Sequence, residues 1–311
     1  MMKTEYASAV AAVKAMESTL MTQNDIEQLI NTSTKSERQA FIDSRNGDVK
    51  NISDVWEMLM TFASDSKELK ILLYRNDFHN LKAVLKAMIS NRDPEIYYVS
   101  PSNVTLEELK KAFRDKEADI LPEHMRETAR SAYELLTRTL DGQLSDSLID
   151  CAALEAMQKS AADCGSEFMK RYAALISACA DIKTAYRCSK MGKSRQFLES
   201  AVCGSSELDK EALIRSALSG VEALYDYLKK SGYEEAAELL KENPAGFEKW
   251  CDDVIMELAA DARMQAFGVE PLAAYYIAKE AELKNIRIIN VCKESGTARE
   301  IITERMRKLY V

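Results

Sequence analysis

The chain has 311 residues, of which 47% are hydrophobic, and its formal net charge at pH 7 is -8. This composition supports sizeable apolar cores and excludes an intrinsically disordered protein. The negative charge gives no net attraction to nucleic acid or anionic lipid, which argues against both as partners and leaves only a local basic patch as a way to bind them.

The first elements predicted along the chain are helices. Only ten glycines and five prolines interrupt it, and the long intervals between them are rich in helix-favouring residues. The N-terminal region carries charges at Glu5, Lys14 and Glu17 and lacks the pattern of a cleaved signal peptide. No uncharged apolar run approaches the roughly 20 residues that cross a bilayer. We therefore expect an all-α, soluble protein without a direct membrane span.

Three sequence signals predict helix starts at intervals along the chain. They are Asp25 before IEQLI, Ser102 or Thr105 before LEELKKAF, and Ser206 before ELDKEALI, because short polar side chains cap helix N-termini. The best candidate for extended structure is residues 95–105, which follow Pro94 and contain Pro101, and we interpret this segment as a linker.

A short pattern recurs about a third of the chain apart. Asn or Asp, then Leu or Ile, then Lys or Arg begin the segments NLKAVLK (80–86), DIKTAYR (181–187) and NIRIINV (285–291). Similar helical segments precede each copy. The repeat predicts three related helical units, residues 1–100, 101–205 and 206–311. Such units could close into a funnel-like body with pseudo-threefold symmetry or form an open solenoid.

The repeat also supplies the candidate site residues. They are the polar and basic positions of the three copies: Asn80, Lys82, Asp181, Lys183, Asn285 and Arg287. Asn and Asp are unfavourable inside helices, and these lie one step from an apolar stripe, so we expect each to bond a neighbouring helix. The alternative is that the geometry of the repeat is retained without any contact to a partner.

Catalytic signals are weak. His79 and His124 have no partner at a useful spacing, so we interpret them as surface or packed histidines. Asp252, Asp253 and Glu257 form a DDxxxE pattern like that with which all-helical prenyl-transferring enzymes hold magnesium, but a solvated helix face is the other interpretation. The phosphate-loop, nucleophile-turn and H-E-x-x-H motifs are absent.

Cysteine spacing gives no metal site. The seven cysteines include no C-x-x-C pair, and the pattern is that of reduced, mostly packed thiols in a cytosolic protein. We therefore predict no catalytic residue, no cofactor and no metal.

Several strings resemble a known family. LLYRNDFHNLKAVLKA (72–87), EPLAAYYIAKEAELKNIRIINVCKE (270–294) and IITERMRKLYV (301–311) are similar to the C subunit of the archaeal and bacterial V/A-type ATPases, the relative of the eukaryotic d subunit. The N-terminal sequence is also similar, so the resemblance runs from end to end, and the middle copy is the most diverged.

The resemblance implies a funnel of three similar helical domains and a non-catalytic rotor component. Its partners would be the central shaft and the membrane proteolipid ring, and it would lie peripherally at the inner, cytoplasmic face of the cell membrane. ATP hydrolysis or synthesis would then be linked to proton or sodium ion transport. The rival hypotheses are a free-standing helical adaptor and a magnesium-dependent enzyme that uses Asp252 and Asp253.

Overall fold

The computed structural model describes residues 6–47 and 49–311, so Glu5 lies outside the described residues. Within these residues the structure consists of α-helices, short 3-10 turns and loops, without a β-strand, which confirms the all-α prediction. In chain order the helices are α1 (Ala7–Met16), α2 (Gln23–Asn31), α3 (Lys35–Asn46), α4 (Ile52–Ala63), α5 (Lys67–Lys70), α6 (Tyr74–Ile89), α7 (Leu106–Arg114), α8 (Glu123–Thr139), α9 (Gly142–Asp163), α10 (Glu167–Met191), α11 (Arg195–Ala201), α12 (Lys210–Leu218), α13 (Val221–Lys230), α14 (Glu234–Glu242), α15 (Pro244–Ala262), α16 (Glu270–Glu294) and α17 (Arg299–Glu304). None of them is long and apolar enough to span a bilayer.

The chain divides into two compact units. Unit 1 contains the described residues up to Leu69 together with Glu242–Val311, and unit 2 contains Lys70–Lys241. The predicted division into three units, with boundaries near residues 100 and 205, stays a prediction.

Unit 1 is built from both ends of the chain. Leu29 of α2 and Ile42 of α3 share one apolar cluster with Ile289 of α16 and Ile302 of α17. Helix α16 also packs against α15, α4 and α1. The long helix α16 is therefore the central element of this unit, and its apolar burial holds the N-terminal helices to the C-terminal ones.

Unit 2 is organised around the long helices α9 and α10. Helix α9 packs against α6, α8, α10 and α11, and α10 also packs against α12 and α13. The second and third repeat copies lie on α10 and α16, which both have 25 residues. In the first copy, the corresponding stretch is broken into α5, a 3-10 turn and α6.

The predicted helix starts are partly confirmed. Thr105 caps α7, as expected. The start at Asp25 is wrong by three residues, because Thr22 caps α2; Asp25 lies in the first turn, where its carboxylate accepts the backbone N–H of Thr22 at 2.8 Å. The start at Ser206 is wrong, because the side chain of Asp209 caps α12. The predicted linker 95–105 begins within a 3-10 turn and then has no regular secondary structure.

Candidate functional site

The first repeat position, Asn80, fixes the chain segment that follows its own helix. The Asn80 side chain is fully buried. Its Nδ2 donates to the carbonyl oxygen of Val99 at 2.9 Å, and its Oδ1 accepts the N–H of the same residue at 2.8 Å. One amide thus satisfies both the N–H and the carbonyl group of Val99, although Val99 itself is exposed.

Asn285 makes the same pair of hydrogen bonds on α16. Its Nδ2 donates to the carbonyl oxygen of Arg307 at 3.1 Å, and its Oδ1 accepts the Arg307 N–H at 2.9 Å. The Asn285 side chain is also fully buried. The third copy therefore holds the C-terminal segment of the chain as the first copy holds the segment around Val99.

Asp181 occupies this position in the second copy and bonds a different pair of backbone groups. Its two carboxylate oxygens accept the N–H groups of Cys203 at 2.8 Å and Gly204 at 2.7 Å. Burial raises the pKa of Asp181 to about 6, although the two backbone hydrogen bonds act in the opposite direction. A carboxylate suits this place because both of its partners are donors.

The three polar repeat positions thus share one structural role, and we call them the anchor residues. Asn80, Asp181 and Asn285 each lie inside a helix and each bond the backbone of a non-helical segment. The sequence analysis expected a neighbouring helix as the partner, whereas the structure places a loop of the same unit there. Because these hydrogen bonds go to backbone groups of the same unit, the anchors act on the fold.

The basic members of the repeat lie in three different environments. Lys82 forms an ion pair with Asp150 of α9 at 2.7 Å. Lys183 is half-buried and Arg287 is exposed. An ion pair with a partner that is 63% exposed contributes little to stability, so the shared function of the repeat rests on its polar residue.

Asp77 is a further anchor that the sequence analysis did not identify. It lies one helical turn before Asn80 and is fully buried. Its carboxylate accepts hydrogen bonds from the Ser102 hydroxyl and from the N–H and Nδ2 of Asn103, each at 2.7 Å. Burial raises the pKa of Asp77. The signal available in the sequence was the spacing of three residues, which places two polar side chains on one face of α6.

The acidic DDxxxE motif binds the C-terminal segment. The Arg307 Nε donates to Asp252 at 2.8 Å, the backbone N–H of Lys308 donates to Asp253 at 2.7 Å, and the Lys308 Nζ pairs with Glu257. All three acidic groups therefore have basic or N–H partners in the same unit, which favours a structural role over the magnesium site.

The two histidines have ordinary surroundings. His79 is exposed, and its Nε2 lies 3.2 Å from the Tyr97 carbonyl oxygen. His124 is half-buried and stacks on Tyr74 with ring centroids 4.1 Å apart. Burial lowers the pKa of His124, so its neutral form is favoured. These contacts are those of a surface histidine and a packed histidine.

Comparison with known proteins gives one consistent result. The family described as "ATP synthase (C/AC39) subunit" matches residues 49–305. A relative, the C subunit of the V-type sodium ATPase of Enterococcus hirae, is 26% identical over 266 residues, which cover 83% of this chain and 80% of the relative. The matched family region includes Asn80, Asp181 and Asn285.

Proposed function

Because this chain belongs to the ATP synthase (C/AC39) subunit family, we propose that it is the central-rotor component that joins the shaft of a rotary V/A-type ATPase to the proteolipid ring. The family makes it a structural, non-catalytic part of a V-type ATPase. The match over residues 49–305 is the observation that carries the proposal. In this role the chain links ATP hydrolysis or synthesis on other subunits to the movement of protons or sodium ions.

The anchors support a mechanical role. A coupling protein has to pass torque between two partners without being deformed, and close-packed helices resist deformation. Loops are the weak parts of such a body, because they lack repeating backbone hydrogen bonds. Asn80, Asp181 and Asn285 each tie a loop to the interior of a helix, so they stiffen the fold where it would otherwise yield.

In this proposal the chain is peripheral at the inner face of the cell membrane and is held there by the ring. Purification of the native complex through an affinity tag on this chain tests it. We expect proteolipid and shaft subunits to elute with the chain in a constant ratio. Recovery of the chain without either of them would support the free-standing adaptor instead.

Photo-cross-linking identifies the contact surfaces. Ile96 and Met264 are apolar side chains that are 78% and 88% exposed, so a photoreactive residue at either position faces solvent or a partner. We expect at least one of them to cross-link to a shaft or ring protein in the native complex. Glu127, whose side chain is 84% exposed, is the polar control position.

The coupling role is tested in vesicles that contain the purified complex. Asn80→Ala is expected to lower the number of ions taken up per ATP hydrolysed, because it releases the segment around Val99, while hydrolysis itself continues. Arg287→Ala is the control, since Arg287 is exposed. An unchanged ratio of transport to hydrolysis in the Asn80 variant would contradict the mechanical role of the anchors.

A further inference from the structure

Two cysteines and a glutamate converge in unit 2. Cys151 and Glu155 lie on α9, and Cys203 lies in the loop after α11. The two Sγ atoms and a carboxylate oxygen of Glu155 all lie within 4.8 Å of one another. The spacing of four residues places Cys151 and Glu155 on one face of the helix, towards the loop that carries Cys203.

We propose that these three side chains form a zinc site, with Sγ of Cys151, Sγ of Cys203 and a carboxylate oxygen of Glu155 as ligands. Zinc is bound in proteins by thiolates, imidazoles and carboxylates in tetrahedral sites. A pair of thiols favours a soft or borderline cation over magnesium or calcium. Water completes the tetrahedron, because three side chains supply three ligands. The proposal concerns a site within this chain and does not depend on the role in the ATPase.

The loop that carries Cys203 is held in place before any metal binds. Asp181 accepts the Cys203 N–H at 2.8 Å. The Nε2 of Gln158 lies 3.4 Å from the Cys203 Sγ and donates to the carbonyl oxygen of Gly204 at 2.9 Å. Groups of this kind orient metal ligands from outside the coordination sphere. The fold therefore orders this loop without the metal, and zinc binding does not have to supply the entropic cost of ordering it.

The third repeat copy shows what such a site would do. Cys203 and Arg307 are equivalent, because each follows its anchor by 22 residues and donates its backbone N–H to it. The Arg307 side chain reaches back to Asp252 on α15 at 2.8 Å. The Cys203 Sγ lies within 4.8 Å of the Cys151 Sγ on α9. A metal between the thiols would make the link that an ion pair makes in the third copy.

The spacing of these residues along the sequence does not reveal the cluster. Cys151 and Cys203 are separated by a helix pair, so neither lies in a short metal-binding motif. The sequence analysis predicted reduced, mostly packed thiols and no metal. Both cysteines are in fact only partly buried, which leaves a metal ion access to them.

Cobalt and zinc titrations of the full-length, reduced and metal-free chain test the proposal. We expect one Co²⁺ per chain, with the near-ultraviolet absorption of cobalt–thiolate bonds, displacement by Zn²⁺, and a higher Tm with the metal. Cys151→Ser and Cys203→Ser should each weaken binding by at least about 100-fold, since even outer groups are worth 10- to 100-fold. Glu155→Gln should weaken it less and keep both thiols.

Cys164→Ser is the matched control, since Cys164 is also partly buried and should leave the titration unchanged. Circular dichroism without metal checks that each variant folds. The absence of a thiolate band, or its persistence in Cys203→Ser, would overturn the assignment. A chain that is isolated with a Cys151–Cys203 disulfide, and that takes up no Co²⁺ after reduction, would overturn it as well and identify a redox pair.

Discussion

Exchange of one amide for a carboxyl group at Asn285 is a direct test of the anchor. Asn285→Asp keeps the acceptor for the Arg307 N–H but places a second oxygen 3.1 Å from the Arg307 carbonyl oxygen. One buried hydrogen bond is lost, and a carbonyl group is left unpaired, which costs about 1–3 kcal/mol. Burial of the new charge adds to this. We expect a total loss of about 3 kcal/mol at pH 8, and a loss of about 2–4 kcal/mol for Asn285→Ala, which leaves both backbone groups unpaired.

Urea unfolding followed by tryptophan fluorescence measures this loss. The two tryptophans, Trp56 and Trp250, both belong to unit 1, so the signal reports the unit that contains Asn285. The loss in Asn285→Asp should shrink as the pH falls. We expect burial to raise the folded-state pKa of the new carboxyl above its unfolded-state pKa. The penalty is then full above the folded-state pKa and fades between the two values as the group is protonated and again donates to the Arg307 carbonyl.

The comparison between variants makes the test specific. Asn285→Ala has no group that titrates at this position, so its loss should not shrink with pH in the same way. If Asn285→Asp unfolds at the wild-type urea concentration at pH 8, the anchor does not hold the C-terminal segment in solution, and the reasoning is refuted.

Buried and exposed charges give three further predictions. Lys279→Met should lower the free energy of unfolding, measured in urea, by about 3–5 kcal/mol, because it leaves the buried Glu282 without its ion pair at 2.5 Å. A second substitution, Glu282→Gln, should restore part of this loss, because Gln keeps an acceptor for the Met21 N–H. The free energy of unfolding of the wild type, compared with that of Asp181→Asn in thermal unfolding, should fall by up to about 3 kcal/mol as the pH rises from 4 to 6. The reason is that the folded-state pKa of Asp181 is raised from 3.8 to about 6. Arg287→Ala should change the free energy of unfolding by less than about 0.5 kcal/mol, because the side chain is exposed.

Helices and anchors were predictable from the sequence because both depend on local patterns. An Asn or Asp beside an apolar stripe needs a polar partner, and the threefold recurrence at Asn80, Asp181 and Asn285 identified the positions. Their partners were not predictable. They lie 19 to 23 residues further along the chain, in loops that have no periodicity to reveal which backbone group will face the helix.

The acidic motif shows why a charge pattern alone can mislead. The sequence displays Asp252 and Asp253 as a cluster and Arg307 and Lys308 as a separate basic segment. Only the fold shows that the acidic cluster and the basic segment are hydrogen-bonded to each other. An acidic cluster in one helix therefore predicts a cation site only when the basic residues elsewhere in the chain have partners of their own.

The choice between Asn and Asp at the anchors follows from the backbone that each one meets. Val99 and Arg307 each present one N–H and one carbonyl group to the anchor, and an amide has one acceptor and one donor to match them. Cys203 and Gly204 present two N–H groups, for which a carboxylate supplies two acceptors. Asp181 is therefore the functional equivalent of the two asparagines. In the second copy the loop presents a different pair of backbone groups, and it is still tied to the helix by the residue at this position.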